Sequence, residues 1–357
     1  MDTVFDYLKW RGDLSFAEVP VGEVDSVMLS MAVYVDLERL CAGGEKRFAC
    51  AAEGYCADGK YDSENLGLIM PSKNINKMFC AMAKTRRFAG TVISDHVVDT
   101  SVSEIYQFSA TVFHLSQDCM AIVYRGTDDS IVGWREDCCL AYLDEIPSQR
   151  MAVEYLERMA EKYPSKKIVT MGHSKGGNLA IYAALKCRGE VRERVTRVFS
   201  LDGPGFTREI IDSPDYSEIE GRLTWIIPQS SFIGTMFERG ERYSVVVSKG
   251  NGVWQHDPFT WVLRGPRFLK FKTLSGRGLK NEEQFRRRME NMTAEEKRHL
   301  VEGLFGIIDS TGAVSLTELT RLGPKKMAAL IKTYNDIDKG EREMITLLLF
   351  KLLEIKK

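Results

Sequence analysis

Residues 166–187, KKIVTMGHSKGGNLAIYAALKC, decide how the chain folds. A short apolar run ending at Met171 predicts a buried strand, and the apolar run from Leu179 predicts a helix. Gly172, Ser174, Gly176 and Gly177 stand between them. Glycines on both sides of a serine permit the sharp strand-to-helix turn that lifts one side chain above a sheet. A serine hydroxyl becomes nucleophilic only when a base takes its proton and a carbonyl can reach it. The G-x-S-x-G spacing in this setting therefore makes Ser174 a candidate nucleophile. His173 adjoins it, points elsewhere by expectation, and reads as structural.

Working outward, IYQFSATVFHL (from Ile105) and CMAIVYRGT (from Cys119) read as neighbouring strands. A helix starts at Ser148 after Pro147, carries Ala152, Tyr155, Leu156 and Met159 on one face, and is stopped by Pro164. RVTRVFSLDGPG, RLTWIIPQ and RYSVVVSKG each supply a strand-like run ending in turn residues. Strands of continuous apolar character alternating with helices predict an α/β fold, a mostly parallel sheet covered on both faces. Towards the N-terminus, VDSVMLSMAVYVDLERL predicts a helix capped by Asp25 or Ser26, with Val27, Met31, Val35 and Leu40 at helical spacing. Residues 41–66 are Gly-rich and polar and read as a loop or insertion. The strand signal ends after Trp261, and TAEE (293–296) fits a capping box ahead of Leu300, Leu304 and Ile307. The expected division is an α/β domain over 1–270 and a helical extension over 271–357.

The 357 residues suggest one large domain with an appendage, or two domains. With 44% hydrophobic and 28% charged residues and a net charge of −1, no whole-chain field favours nucleic acid or an anionic membrane. The N-terminus lacks the apolar core of a secretory signal. The most apolar stretch, MITLLLFKLLEI, is too short for a membrane span and is broken by Lys351. The eight cysteines follow no CxxC spacing and several lie in apolar runs, as buried thiols do. A cytoplasmic location without a disulfide framework is expected. DSTGAVSLTEL, from Asp309, lacks the carboxylates of a calcium loop, and no phosphate-binding or zinc-spaced motif occurs. The basic cluster Arg264, Arg267, Lys270, Lys272, Arg277 and Lys280 reads as a solvated linker.

Three segments carry a resemblance. VYRGTDDSIVGWREDC (123–138) resembles the F-R-G-[ST]…W-x-x-D segment of the class 3 (fungal-type) lipases; GHSKGG resembles their G-H-S-x-G-G, and VFSLDGPGF their T-F-G-x-P-x-[VF]-G. A closer resemblance, over roughly residues 7–263, is to a bacterial branch of the α/β-hydrolases, the Mbeg-like proteins, from YLKWRGDLSF and VDSVMLSMAVYVDL through to QHDPFTW. It implies an α/β-hydrolase fold and a serine hydrolase apparatus acting on a small acyl ester without a cofactor. It makes Thr127 the counterpart of the lipases' oxyanion-hole Ser or Thr, with the backbone N–H of Lys175 as second donor. The lipase stretch like DDSIVGWREDCCLAY forms a lid; here it is too charged to be lipid-sensing.

The chain order nucleophile, acid, histidine used by this fold selects His256, in the turn QHDP, from His96, His114, His173, His256 and His299. The class 3 lipases place their acid after the strand that corresponds to RLTWIIPQSSFIG, which offers only Gln229, Ser230 and Ser231. Asp202 lies one strand earlier and is the preferred acid; Asp257, or an acid from the first hundred residues, or none, are the alternatives. An acyltransferase or amidase using the same residues, or a binding module without catalysis, would fit this sequence too.

Overall fold

The computed structural model describes residues 3–57, 72–336 and 342. Nine strands form one sheet in the order β1 (Lys46–Arg47), β2 (Val92–Ser101), β3 (Tyr106–His114), β4 (Cys119–Tyr124), β5 (Lys167–His173), β6 (Val195–Leu201), β7 (Leu223–Pro228), β8 (Tyr243–Val246) and β11 (Lys270–Phe271). Strands β9 (Leu263–Arg264) and β10 (Arg267–Phe268) make a separate hairpin. From β4 to β8 every pairing is parallel, whereas β1, β2, β3 and β11 join antiparallel.

The apolar strands are continuous because both faces are covered. In β4, Ala121 and Val123 pack with the N-terminal helices Glu23–Ala32 and Ser72–Met82. Met120, Ile122 and Tyr124 pack on the other face with the helices Pro147–Lys162 and Lys175–Lys186. A strand alternates its side chains between faces, so a sheet buried on both needs apolar residues at every position. Helical crossovers between parallel strands and a serine turn after β5 make this an α/β-hydrolase fold.

The helix Glu23–Ala32 departs from the sequence expectation. Its N-cap is Gly22, and Asp25 sits three residues in, accepting from the Gly22 N–H at 2.8 Å. The buried Asp25 carboxylate also holds Arg87 at 2.6 Å and the Tyr7 hydroxyl at 3.0 Å. The helix ends at Ala32, and Leu37–Leu40 is a separate turn. Residues 41–66 are not all loop: the alanine-rich FACAAEGYCA forms the helix Phe48–Ala57, and 58–66 lie outside the described residues. Cys56 and Cys80 form a disulfide that joins this helix to Ser72–Met82, against the expectation of free thiols. Beyond Trp261, the basic segment contributes β9, β10 and β11, where no strand was expected.

The helix Ala294–Asp309 packs through Leu300, Leu304, Phe305 and Ile308 onto the helix Ile131–Cys139. The contact continues along the backbone, with Ile131 N–H to Val314 C=O at 3.0 Å and Leu316 N–H to Asp129 C=O at 2.9 Å. Among the described residues no helix is long and apolar enough to cross a membrane.

Candidate active site

The parallel register of β5 and β6 pairs His173 with Leu201, so Ser174 and Asp202 leave the same edge of the sheet side by side. Ser174 has φ 58° and ψ −132°, a left-handed turn in which its N–H is held by the Leu201 carbonyl at 2.9 Å. Such a conformation is strained for a non-glycine residue and persists only where the surroundings enforce it. Close packing explains the flanking glycines. A Cβ on Gly172 would stand 2.2 Å from the Gly176 backbone, and one on Gly176 would stand 2.2 Å from the Tyr124 carbonyl oxygen.

Asp202 is fully buried and also has a positive φ, 51°, which aspartate tolerates better than most residues. Its Oδ2 lies 2.7 Å from Nδ1 of His256, which ends the short turn Gly252–His256. Its Oδ1 accepts from the Ser231 hydroxyl at 2.5 Å. Ser231 follows β7, where the lipase resemblance puts a carboxylate; here a hydroxyl from that place steadies the carboxylate one strand earlier. Among the described residues no hydrogen bond joins the Ser174 hydroxyl to His256. Asp257 instead caps the next turn, accepting from the Phe259 N–H at 2.9 Å, and burial pushes its carboxyl up to about 6.

His173 lies under this pair. Its Nε2 is 2.8 Å from the His256 carbonyl oxygen, and the two rings lie 4.3 Å apart between centroids. Burial, reinforced by the neighbouring His256, pushes His173 well below the usual histidine range, so it stays neutral. Neutral His173 is a prop for the His256 backbone.

The turn after β4 brings Thr127 to the serine turn: a Cβ on Gly126 would lie 3.2 Å from the Ser174 Cβ. The Thr127 hydroxyl donates to Asp137 Oδ2 at 2.6 Å. As first residue of its helix, Lys175 has a backbone N–H without a partner inside that helix. Its side chain is buried and meets Glu136 Oε2 at 2.7 Å and Asp137 Oδ1 at 3.7 Å. Sequence reasoning missed Ser231, Glu136 and Asp137 as parts of this site. Two signals were available: the aspartate of the W-x-x-D segment, which falls on Asp137, and a lysine inside an otherwise apolar and glycine-rich helix start. His96 and His114 lie on β2 and β3, outside the group.

Glu45, Asp95 and His114 could in principle offer metal ligands within 4.8 Å of one another. They stand at the opposite edge of the sheet from Ser174, because His114 pairs with Met120 at the start of β4. Lys162 already supplies a positive charge 2.6 Å from Asp95.

Among the solved structures similar to the chain are three lipases. A fungal lipase–inhibitor complex is 14% identical, with 65% of this chain and 83% of that chain covered and a TM-score of 0.34. Lipase II from Rhizopus niveus is 12% identical over 58% of this chain and 79% of its own, with a TM-score of 0.33. The Rhizomucor miehei lipase propeptide complex is 15% identical over 62% and 67%, with a TM-score of 0.32. No curated protein matches the chain. The Mbeg1-like family model matches residues 82–306, a span that starts before β2, takes in the serine turn, Asp202 and His256, and reaches the helix packed on Ile131–Cys139. The chain belongs to the Mbeg1-like family.

Proposed function

We propose that the protein is a serine hydrolase that cleaves a carboxylic ester through an acyl-enzyme on Ser174. The observation that carries this reading is the buried Asp202 carboxylate 2.7 Å from Nδ1 of His256, beside a serine held in a left-handed turn. A carboxylate on Nδ1 fixes the tautomer with a lone pair on Nε2, the form that can take a serine proton. Ser174 Oγ attacks the ester carbonyl as its proton passes to His256 Nε2. The tetrahedral intermediate collapses, the C–O bond to the alcohol breaks, and His256 returns the proton to that leaving alcohol. Water repeats the sequence on the acyl-enzyme and releases the acid and free Ser174.

Charge developing on the carbonyl oxygen needs donors nearby. A hydroxyl has one proton, and that of Thr127 is directed to Asp137. Backbone N–H groups, of the Thr127 turn and of Lys175, are therefore the donors in this reading. The apparatus suits acyl transfer or amide cleavage as well. A non-catalytic binding module is the second reading, favoured by the lack of a Ser174–His256 hydrogen bond, although such bonds often form only with substrate bound.

The test is labelling by a fluorophosphonate, which reacts only with an activated serine, together with p-nitrophenyl butyrate hydrolysis. Ser174→Ala should abolish both and leave the fold intact, since loss of a triad serine costs about 10⁶ in kcat. Labelling that survives in this variant overturns the assignment of the nucleophile.

A further inference from the structure

We propose that Lys175 is a positioning residue: through Glu136 and Asp137 its buried side chain locks the Thr127 turn onto the serine turn. The proposal rests on the hydrolase reading and names a residue that reading uses only through its backbone.

The side chains of Lys175 and Glu136 are 1% and 0% exposed. Residues of these types are almost never so deeply buried unless paired. The ammonium meets Glu136 Oε2 at 2.7 Å, the Gln107 carbonyl oxygen at 2.8 Å and Asp137 Oδ1 at 3.7 Å. The Glu136 carboxylate further accepts from the Gln107 N–H at 3.1 Å, the Ser148 N–H at 2.9 Å and the Ser148 hydroxyl at 2.8 Å. Glu136 thereby ties β3, the helix Ile131–Cys139 and the helix Pro147–Lys162 to the residue after the nucleophile. Asp137, next along the same helix, holds the Thr127 hydroxyl at 2.6 Å. The path from Ser174 to Thr127 is thus Lys175, Asp137, Thr127, with Glu136 bracing it.

Stability alone does not account for this arrangement. Taking two ions out of water is costly, and well-packed apolar residues of the same volume often serve as well or better. What an apolar pair cannot supply is a positive charge beside Asp137, 3.7 Å from an Oδ1 that accepts no hydrogen bond of its own. Burial pushes Asp137 up to about 6, while the Lys175 charge beside it pulls the other way and favours the carboxylate that Thr127 bonds. A displacement of about 1 Å in a positioned group can cost on the order of 10²-fold in rate, so this link bears on turnover.

The test uses the full chain, with the double variant Lys175→Met/Glu136→Gln, which removes both charges at similar volume. Removing Lys175 alone would leave Glu136 buried and unpaired. We expect the double variant to fold, with kcat on p-nitrophenyl butyrate down about 10–100-fold and KM within about threefold, as for a weakened oxyanion donor. The Ki of a trifluoromethyl ketone, whose serine adduct carries the oxyanion, should rise by the factor that kcat falls. A merely structural staple would not link those two quantities. A folded double variant with wild-type kcat and Ki overturns the proposal. If the double variant does not fold, Asp137→Asn carries the same test: a drop of at least about tenfold in kcat supports the link, and an unchanged kcat overturns it. Wild-type protein that does not react with fluorophosphonate overturns the hydrolase reading and this proposal together. Reactive wild type with an unimpaired variant overturns this proposal alone.

Discussion

Replacing Asp202 by asparagine changes one charge and almost nothing else. The shape is kept, and asparagine accepts a positive φ as readily as aspartate, so the 51° backbone adds no strain. The carboxylate receives two donors, His256 Nδ1 at 2.7 Å and the Ser231 hydroxyl at 2.5 Å, but an amide offers one oxygen. With the NH₂ turned to His256, it binds the Nδ1 lone pair and forces the proton onto Nε2, where no serine proton can be accepted. With the oxygen turned to His256, the tautomer survives but the imidazolium formed during attack loses its counter-ion. For charge centres about 4 Å apart at an effective dielectric of about 20, that loss is about 4 kcal/mol. At 1.36 kcal/mol per decade this is roughly three decades in rate, and the tautomer error costs about 10⁴ in serine proteases. Hydrolysis of p-nitrophenyl butyrate by Asp202→Asn should therefore show kcat lowered about 10³–10⁴-fold. Circular dichroism should show the fold retained. A folded variant within about tenfold of wild type refutes the reasoning.

Two further outcomes follow from the packing around the site. Leu304 is fully buried between the helices Ala294–Asp309 and Ile131–Cys139, so Leu304→Ala should cost about 2–5 kcal/mol in urea unfolding. A loss below about 1 kcal/mol would mean these helices unfold independently of the sheet. Burial first, and Arg125 second, hold His96 down to about 4 from 6.5, with its Nδ1 2.8 Å from the Thr111 hydroxyl. The unfolded chain then binds the extra proton between those values. His96 thus contributes stability above pH 6.5 that is lost as pH falls, about 3 kcal/mol of it by pH 4. His96→Gln should flatten the stability–pH curve over that window relative to wild type, and an unchanged slope contradicts the burial argument.

The central part of the fold is legible in the sequence because periodicity carries it. The runs that become β3 to β8 are long enough to show continuous apolar character, and the helix after Ser174 has a clear apolar face. The place of Asp202 is also legible, since a right-handed crossover sets β6 beside β5 and its first following residue beside the serine turn. What periodicity misses is short or distant. Strands β9, β10 and β11 have two residues each, too few to show alternation. The helix Glu23–Ala32 stops at Ala32 although the apolar spacing runs on to Leu40, and Asp36 caps a new turn, its side chain accepting from the Arg39 N–H at 3.0 Å. The partnership of Lys175 with Glu136, 39 positions away, is not legible because periodicity places a residue on its element and says nothing of which distant side chain it meets.

The sheet begins and ends with its smallest members. The outer ladders are Lys46–Arg47 on β2 and Lys270–Phe271 on β8, two residues each and both carrying lysine. An unpaired strand edge is a template onto which another chain can add, and short, charged borders blunt it. Nine strands with long, bare flanks would invite such growth. Here β1 covers only Val92 and Ile93 of β2, and the rest of that strand is blunted by its own bulge between Ser94 and Val97 and by the charges of Asp95 and Asp99, so the extended apolar β-structure around the serine turn ends in margins ill-suited to recruiting a neighbour.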